Sequence, residues 1–289
     1  MPTVAHHQNE TIVIASYNMR YAGGPHLISG GLLRKIGISN VKRRAHVVSC
    51  NISVAAKAFS TGALLPVPDV ILLQEADKQT KRTGSHHVAR TLAEGLQMNW
   101  IFVPAGIPRG IKPKQRQWWL DFEEAIELFD PGDTGVALLS RFQVSDILRI
   151  DLPWQECPWR PRLAMAATIP AAHGAIRLFN VHVDPHAGAS GQLEQLETIV
   201  AFANESNGPV MIAGDFNTLS NQKCRETRGL LESQGYITPF ATGTPTWRGA
   251  GIRLHADWIF GRGVEFVRWG VAKPLKVSDH WPIWAEVRV

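Results

Sequence analysis

Asp215 and Asn217 leave a short apolar run, Val210 to Ala213, by way of Gly214, within Pro209-Val-Met-Ile-Ala-Gly-Asp-Phe-Asn-Thr218. Two positions apart on an extended chain, a carboxylate and a carboxamide face the same side. Such a pair can take a proton from a water and aim that water, provided both lie within hydrogen-bond reach of it. Gly-Asp and Asn-Thr are also turn formers, and the stretch alone reads first as an ordinary turn. A catalytic role requires partners from the rest of the chain. Other apolar runs also end in polar groups: Thr11–Asn18 ends in Asn18, Pro68-Asp-Val-Ile-Leu-Leu-Gln-Glu75 in Glu75, and Phe179-Asn-Val-His-Val-Asp184 carries Asn180, His182 and Asp184. Each has a plain alternative, a surface acid for Glu75 and a half-exposed strand for the alternating trio.

The elements that must position these groups follow from periodicity. Continuous or alternating β-branched runs predict strands over 11–18, 68–75, 99–103, 134–141, 145–150, 163–169, 175–183, 210–213, 255–260 and 264–271, with a further one in 277–289. Helical spacing covers 41–59 (Val47, Val48, Ile52, Ala55, Ala56), 85–96, 191–203 and 222–233. The glycine-rich stretch 22–39 reads as a loop. Lys42, Arg43 and Arg44 read as a solvated helix face. In 109–119 basic residues interleave with Trp118 and Trp119; such a segment could grip phosphates and stack on a base, or pack as a plain surface loop. The order strand, helix, strand, helix, several strands, and the same again suggests two similar halves: two sheets packed face to face with helices outside. A single domain over 11–289 after a flexible segment 1–10 is expected.

Composition bounds the class. Hydrophobic residues make up 45% and charged residues 19%, as in a globular protein with a sizeable core. A net charge of +5 and a pI near 9.3 favour phosphate-bearing partners mildly and fall short of a dedicated nucleic-acid-binding composition. Cys50, Cys157 and Cys224 form no C-x-x-C pair, which argues against a disulfide framework or structural zinc. With neither a signal-peptide pattern nor an apolar run of membrane-spanning length, a cytoplasmic setting without integral membrane association is expected.

Tyr17-Asn18, Leu73-Gln-Glu75, Ala137-Leu-Leu-Ser-Arg141, Asn180-Val-His182, Gly214-Asp-Phe-Asn217, Ala256-Asp-Trp-Ile-Phe260 and Ser278-Asp-His280 occur in this order and span nearly the whole chain. The ordered set resembles the endonuclease/exonuclease/phosphatase superfamily, the deoxyribonuclease-I-like phosphoesterases, and among them bacterial members of unassigned substrate. The resemblance implies an α/β fold, a four-layer αββα sandwich of two mainly antiparallel sheets flanked by helices, with these loops meeting at one end. It implies that Asn18, Glu75 and Asp279 surround a divalent cation, magnesium with manganese as a substitute, a role suited to oxygen donors. Asp215 would act as general base, Asn217 would orient the water, and His280, backed by Asp257, would face the phosphate together with His182.

Two departures stand out. His255-Ala256 occupies a place that is commonly basic and aliphatic in the family, with Arg253 two residues earlier, so a phosphate contact from that strand is in doubt. Trp281 is a bulky neighbour of the Ser278-Asp-His280 turn and, like Trp118 and Trp119, suits a base stack or a lipid interface. The leading expectation is hydrolysis of a phosphodiester, with nucleic acid a plausible substrate. The same site could serve a phosphomonoester, a phospholipid or an inositol phosphate. A silent phosphate- or partner-binding member is a third reading, against which every matched position carries a suitable residue. The oligomeric state is not set by the sequence.

Overall fold

The computed structural model describes residues 11–25, 41–106, 126, 130–153, 162–249 and 251–289, with the side chains of 41–43 left undescribed. The basic and aromatic segment 109–119, most of the 22–39 stretch and Cys157 lie outside these residues.

In chain order the elements are β1 (Thr11–Asn18), α1 (Val41–Ser60), β2 (Val70–Gln74), α2 (Val88–Leu96), β3 (Asn99–Pro104), β4 (Gly135–Ser140), β5 (Ser145–Asp151), β6 (Leu163–Ala171) and β7 (Gly174–His182). There follow α3 (Ala189–Asn204), β8 (Val210–Asp215), α4 (Asn221–Ser233), β9 (Trp247–Gly249), β10 (Ile252–Leu254), β11 (Asp257–Arg262), β12 (Glu265–Val271) and β13 (Ile283–Arg288). One sheet has the order β12-β13-β1-β2-β4-β3 and the other β11-β8-β7-β6-β5. At the centre of each lies one parallel pair, β1 with β2 and β7 with β8, and an antiparallel strand flanks each pair on both sides. The expectation of two similar halves in mainly antiparallel sheets is met.

The central strands are buried along their whole length because the sandwich covers both faces. Val70–Gln74, Gly135–Ser140 and Val210–Asp215 expose no residue. One core fills the space between the sheets and reaches under α3 and α4. A second lies between the six-stranded sheet and α1 and α2, where Val48, Ile52, Ala55 and Phe59 meet Tyr17, Ile71 and Leu73. Val47, expected on that apolar face, is 39% exposed, because a single stripe at 3.6-residue spacing cannot hold two adjacent positions equally deep.

Several boundaries move for identifiable reasons. The helix expected from residue 85 begins at Val88, since Ser85 has a φ of 66° and the His87 side chain caps the new start by accepting from the Arg90 N–H at 3.3 Å. The strand expected from residue 255 begins at Asp257. The β9–β10 hairpin has no counterpart among the elements expected from periodicity, because two three-residue strands are too short to leave an alternating pattern.

Candidate active site

Parallel pairing brings the exits of β1, β2, β7 and β8 to one end of the sandwich, and antiparallel pairing brings the starts of β11 and β13 to the same end. Asn18 pairs with Gln74, His182 with Asp215, and Asp215 with Asp257 across the strands. Seven of the eight residues expected at the site, all except Glu75, are buried.

Local backbone chemistry sharpens these exits. Gly214 has a φ of 152°, and a Cβ there would lie 2.1 Å from the Val181 carbonyl oxygen on the neighbouring parallel strand, so only glycine lets β8 pass. Glu75 and Asn217 sit at φ of 49° and 50°, a left-handed conformation that non-glycine residues seldom adopt and that redirects the chain as each strand ends. Asn217 is thereby turned inward: its N–H donates to Asp215 Oδ1 at 2.9 Å and its Nδ2 to the Val183 carbonyl at 2.9 Å.

Asp215 is the hub. The Asn18 Nδ2 donates to Asp215 Oδ2 at 2.8 Å and to Glu75 Oε1 at 3.0 Å, which ties the two sheets together through their acids. The Nε2 atoms of His182 and His280 each stand 3.8 Å from Asp215 Oδ2, and that of His182 is equally far from Glu75 Oε1. Behind His280, Nδ1 donates to Asp257 at 2.9 Å. Burial lifts the Asp215 pKa to about 7, while the His280 charge and the Asn18 and Asn217 hydrogen bonds pull it back. Burial alone would lower His280, but the carboxylates of Asp257, Asp215 and Asp279 outweigh it and raise the pKa to about 10. His182 moves the opposite way, well below its ordinary value, through burial and the charges of Arg162 and His280. The surroundings thus favour the cationic form of His280 and the neutral form of His182 beside the same carboxylate.

Asp279 is engaged differently from the other two residues expected at a cation. Its Oδ2 lies 3.2 Å from Arg20 Nη1 and accepts from Trp247 Nε1 at 3.0 Å. The Asn18 oxygen accepts from the Arg20 N–H at 2.9 Å. Among the described residues, the clusters of acidic and histidine side chains dense enough for a metal are Glu75, His182 and Asp215, and Asp215, Asp257 and His280.

Further residues prove to belong to this end of the molecule without having been singled out. Arg162, at the entry to β6, places Nη1 3.0 Å from His182 Nε2. Gln192 on α3 joins two site loops by donating to the carbonyls of Asp184 at 2.8 Å and Asn217 at 3.1 Å. Beneath them Gln74 donates to Asn180 Oδ1 at 2.7 Å, and Asn180 donates to the carbonyls of Leu73 and Ala137, a polar staple between the sheets. Arg20 could have been noticed as a cation two residues beyond Asn18; Arg162 and Gln192 left no local signal. Trp281 is 4% exposed and so is no stacking platform.

Comparison with known proteins agrees with this architecture. The structure is similar to that of an endonuclease/exonuclease/phosphatase from Bacteroides vulgatus, with a TM-score of 0.65 and 17% identity over 96% of this chain and 99% of that one. A humanized D. rerio TDP2 gives 0.63 and 17% over 97% and 100%, and ANGEL2, described as a 2′,3′-cyclic phosphatase, gives 0.62 and 15% over 96% of each chain. A UPF0294 protein of Vibrio vulnificus is 29% identical over 139 residues, 44% of this chain and 45% of that protein. One of Vibrio parahaemolyticus is 26% identical over 184 residues, 58% and 61%. The chain therefore spans less than two thirds of the length of these curated relatives. A sequence model of the endonuclease/exonuclease/phosphatase family matches residues 43–280, and the chain belongs to that family.

Proposed function

We propose that the chain is a metal-dependent phosphodiesterase that hydrolyses a phosphodiester of nucleic acid through general-base activation of water. The observation that carries this reading is the buried Asp215 carboxylate, set 3.8 Å from two imidazoles and held by amide donors on both oxygens. Those donors favour the ionised form, which is the form that accepts a proton. Asp215 takes the proton of the attacking water, and Asn217, locked in its turn, fixes the direction of approach. The His280 imidazolium, oriented by Asp257, donates from Nε2 to a phosphoryl oxygen as charge builds there. Neutral His182 stands 3.8 Å from the same carboxylate oxygen, with the Arg162 guanidinium beside it to attract the phosphate.

Asn18, Glu75 and Asp279 are the residues assigned to hold a divalent cation. Their donors are oxygens, the chemistry that magnesium takes. Burial raises the Asp215 pKa, and a cation held beside it would offset that cost of carrying a charge. Presenting the Asn18 oxygen to the cation requires its carboxamide to turn over, since the nitrogen faces both carboxylates here. A divalent cation held there would supply positive charge against the phosphate and the departing oxygen.

Nucleic acid is favoured as the substrate because one structural neighbour, D. rerio TDP2, is described in complex with a single-strand DNA product and another, ANGEL2, with adenosine-2′,3′-vanadate. A cytoplasmic location is kept as part of the proposal; no helix among the described residues is long and apolar enough to cross a membrane. The test is turnover of an aryl phosphodiester, DNA, RNA, a phospholipid and an inositol phosphate, each with a chelator and with magnesium or manganese restored. Cleavage of the aryl diester and of DNA or RNA, abolished by chelation and recovered with metal, is expected. Turnover confined to lipid or inositol phosphate, or unaffected by chelation, would contradict it.

A further inference from the structure

The β9–β10 hairpin places two arginines face to face. Arg248 and Arg253 are a directly opposed cross-strand pair, an arrangement in which like charges repel. A third cation stands close by. The Lys273 Nζ lies 4.5 Å from the centre of the Trp281 ring and the Arg248 guanidinium 5.6 Å from it, so one aromatic supports both. Burial and the Arg253 charge both lower the Lys273 pKa, in keeping with that proximity. Among the described residues no carboxylate pairs with any of these three cations. The Trp281 indole N–H is itself buried without a partner among those residues. Two cations thus share one ring and the third faces one of them across the hairpin, with no carboxylate among the described residues to compensate them.

Their position is fixed relative to the reacting groups. Trp247 bridges to His280, the Arg248 backbone N–H donates to the Asp279 carbonyl at 2.9 Å, and the Trp281 backbone N–H donates to the Thr246 carbonyl at 2.7 Å. The hairpin is thereby pinned to the loop that carries Asp279 and His280. Lys273 follows Ala272, whose N–H donates to the Pro282 carbonyl at 2.8 Å, so all three cations sit on segments bonded to the loop that carries the reacting groups.

We propose that Arg248, Arg253 and Lys273 form a second anion site that takes the phosphate adjacent to the scissile one, so that the substrate is a polynucleotide strand with consecutive phosphates. The proposal rests on the phosphodiesterase reading and narrows its substrate class. A membrane surface fits less well, because Trp281 is sunk beneath the cations and offers no apolar face to insert. Phosphates of a strand need only positive charge at the right spacing, and binding of that kind weakens with salt.

The experiment is binding of a labelled oligothymidylate of about a dozen nucleotides to the full chain in chelator, followed by fluorescence anisotropy over a salt series. Arg253→Gln combined with Lys273→Gln alters two exposed side chains and relieves repulsion, so Tm should hold or rise. The variant should bind about tenfold more weakly, and its salt slope should fall by about 0.7, the contribution of the one single-strand phosphate that is no longer neutralised. Unchanged affinity and slope would overturn the proposal, as would a wild-type chain that fails to bind the oligonucleotide at low salt. Binding confined to phosphatidylserine-containing vesicles would overturn it in favour of a lipid surface. Hydrolysis of the aryl phosphodiester is measured separately: its absence with oligonucleotide binding intact contradicts the phosphodiesterase reading, and the converse result contradicts only the second anion site.

Discussion

His255 stands where the family commonly has a basic residue, and it is buried as a neutral ring. Its Nδ1 accepts from the Gly243 N–H at 3.2 Å, its Nε2 lies 3.1 Å from the Asp257 carbonyl, and its ring stacks on Trp258 at 3.7 Å. Those partners suit the tautomer with a proton on Nε2 alone; a second proton would set N–H against N–H. Burial accordingly lowers the pKa from 6.5 to about 4. Between these values the unfolded chain binds the proton and the folded chain does not. The stabilisation is therefore full above about pH 6.5 and declines as pH falls towards 4. The shift corresponds to about 3 kcal/mol at most. Chemical denaturation at pH 7 and at pH 4 should show a larger acid-side loss for wild type than for His255→Gln; equal losses would refute the neutral-ring account. Of the eight residues expected at the site, Asn18, His182, Asp215 and Asp257 end or begin a strand and the others lie within a few residues of one; periodicity marked the strands, and the ordered motifs shared with the family assigned the roles. Arg162 and Gln192 were not legible, because their roles depend on neighbours across the sheets and on a helix that no local pattern reports.

At the scale of the element, β8 owes its course to Gly214. Gly214→Ala would press a Cβ into the Val181 carbonyl at a φ that alanine rarely adopts, and should cost about 3 kcal/mol or more. Because Asp215 follows directly, catalytic turnover should fall together with stability in urea; an alanine variant with wild-type midpoint and turnover would show that the close approach of β7 and β8 is not needed. The long strands were readable because burial on both faces writes a continuous apolar run. The β9–β10 hairpin was not, being defined by its attachment to Asp279 and His280. That attachment turns Arg248 and Arg253 from scattered surface charges into neighbours of the site.

For the whole molecule, the site exists only because two sheets with matching parallel centres present their exits at one end. The Gln74–Asn180 staple holds that alignment in the inter-sheet core, where an unpaired carbonyl is expensive. Asn180→Leu leaves the Leu73 and Ala137 carbonyls without their donor and should destabilise the fold by about 2–3 kcal/mol, read from the shift of the urea midpoint. Two halves were legible from the repeated strand and helix order. That the strand exits meet at one end was expected from the resemblance; that Asn18 bridges acids from opposite sheets was not, since the bridge depends on side-chain contacts across the sandwich. The central claim is that Asp215 is the base and His280 the phosphate donor. Its most direct test is turnover of an aryl phosphodiester by Asp215→Asn and His280→Ala, with folding verified by circular dichroism. Each folded variant is predicted to lose activity by at least about a hundredfold; wild-type turnover in either one would contradict the account.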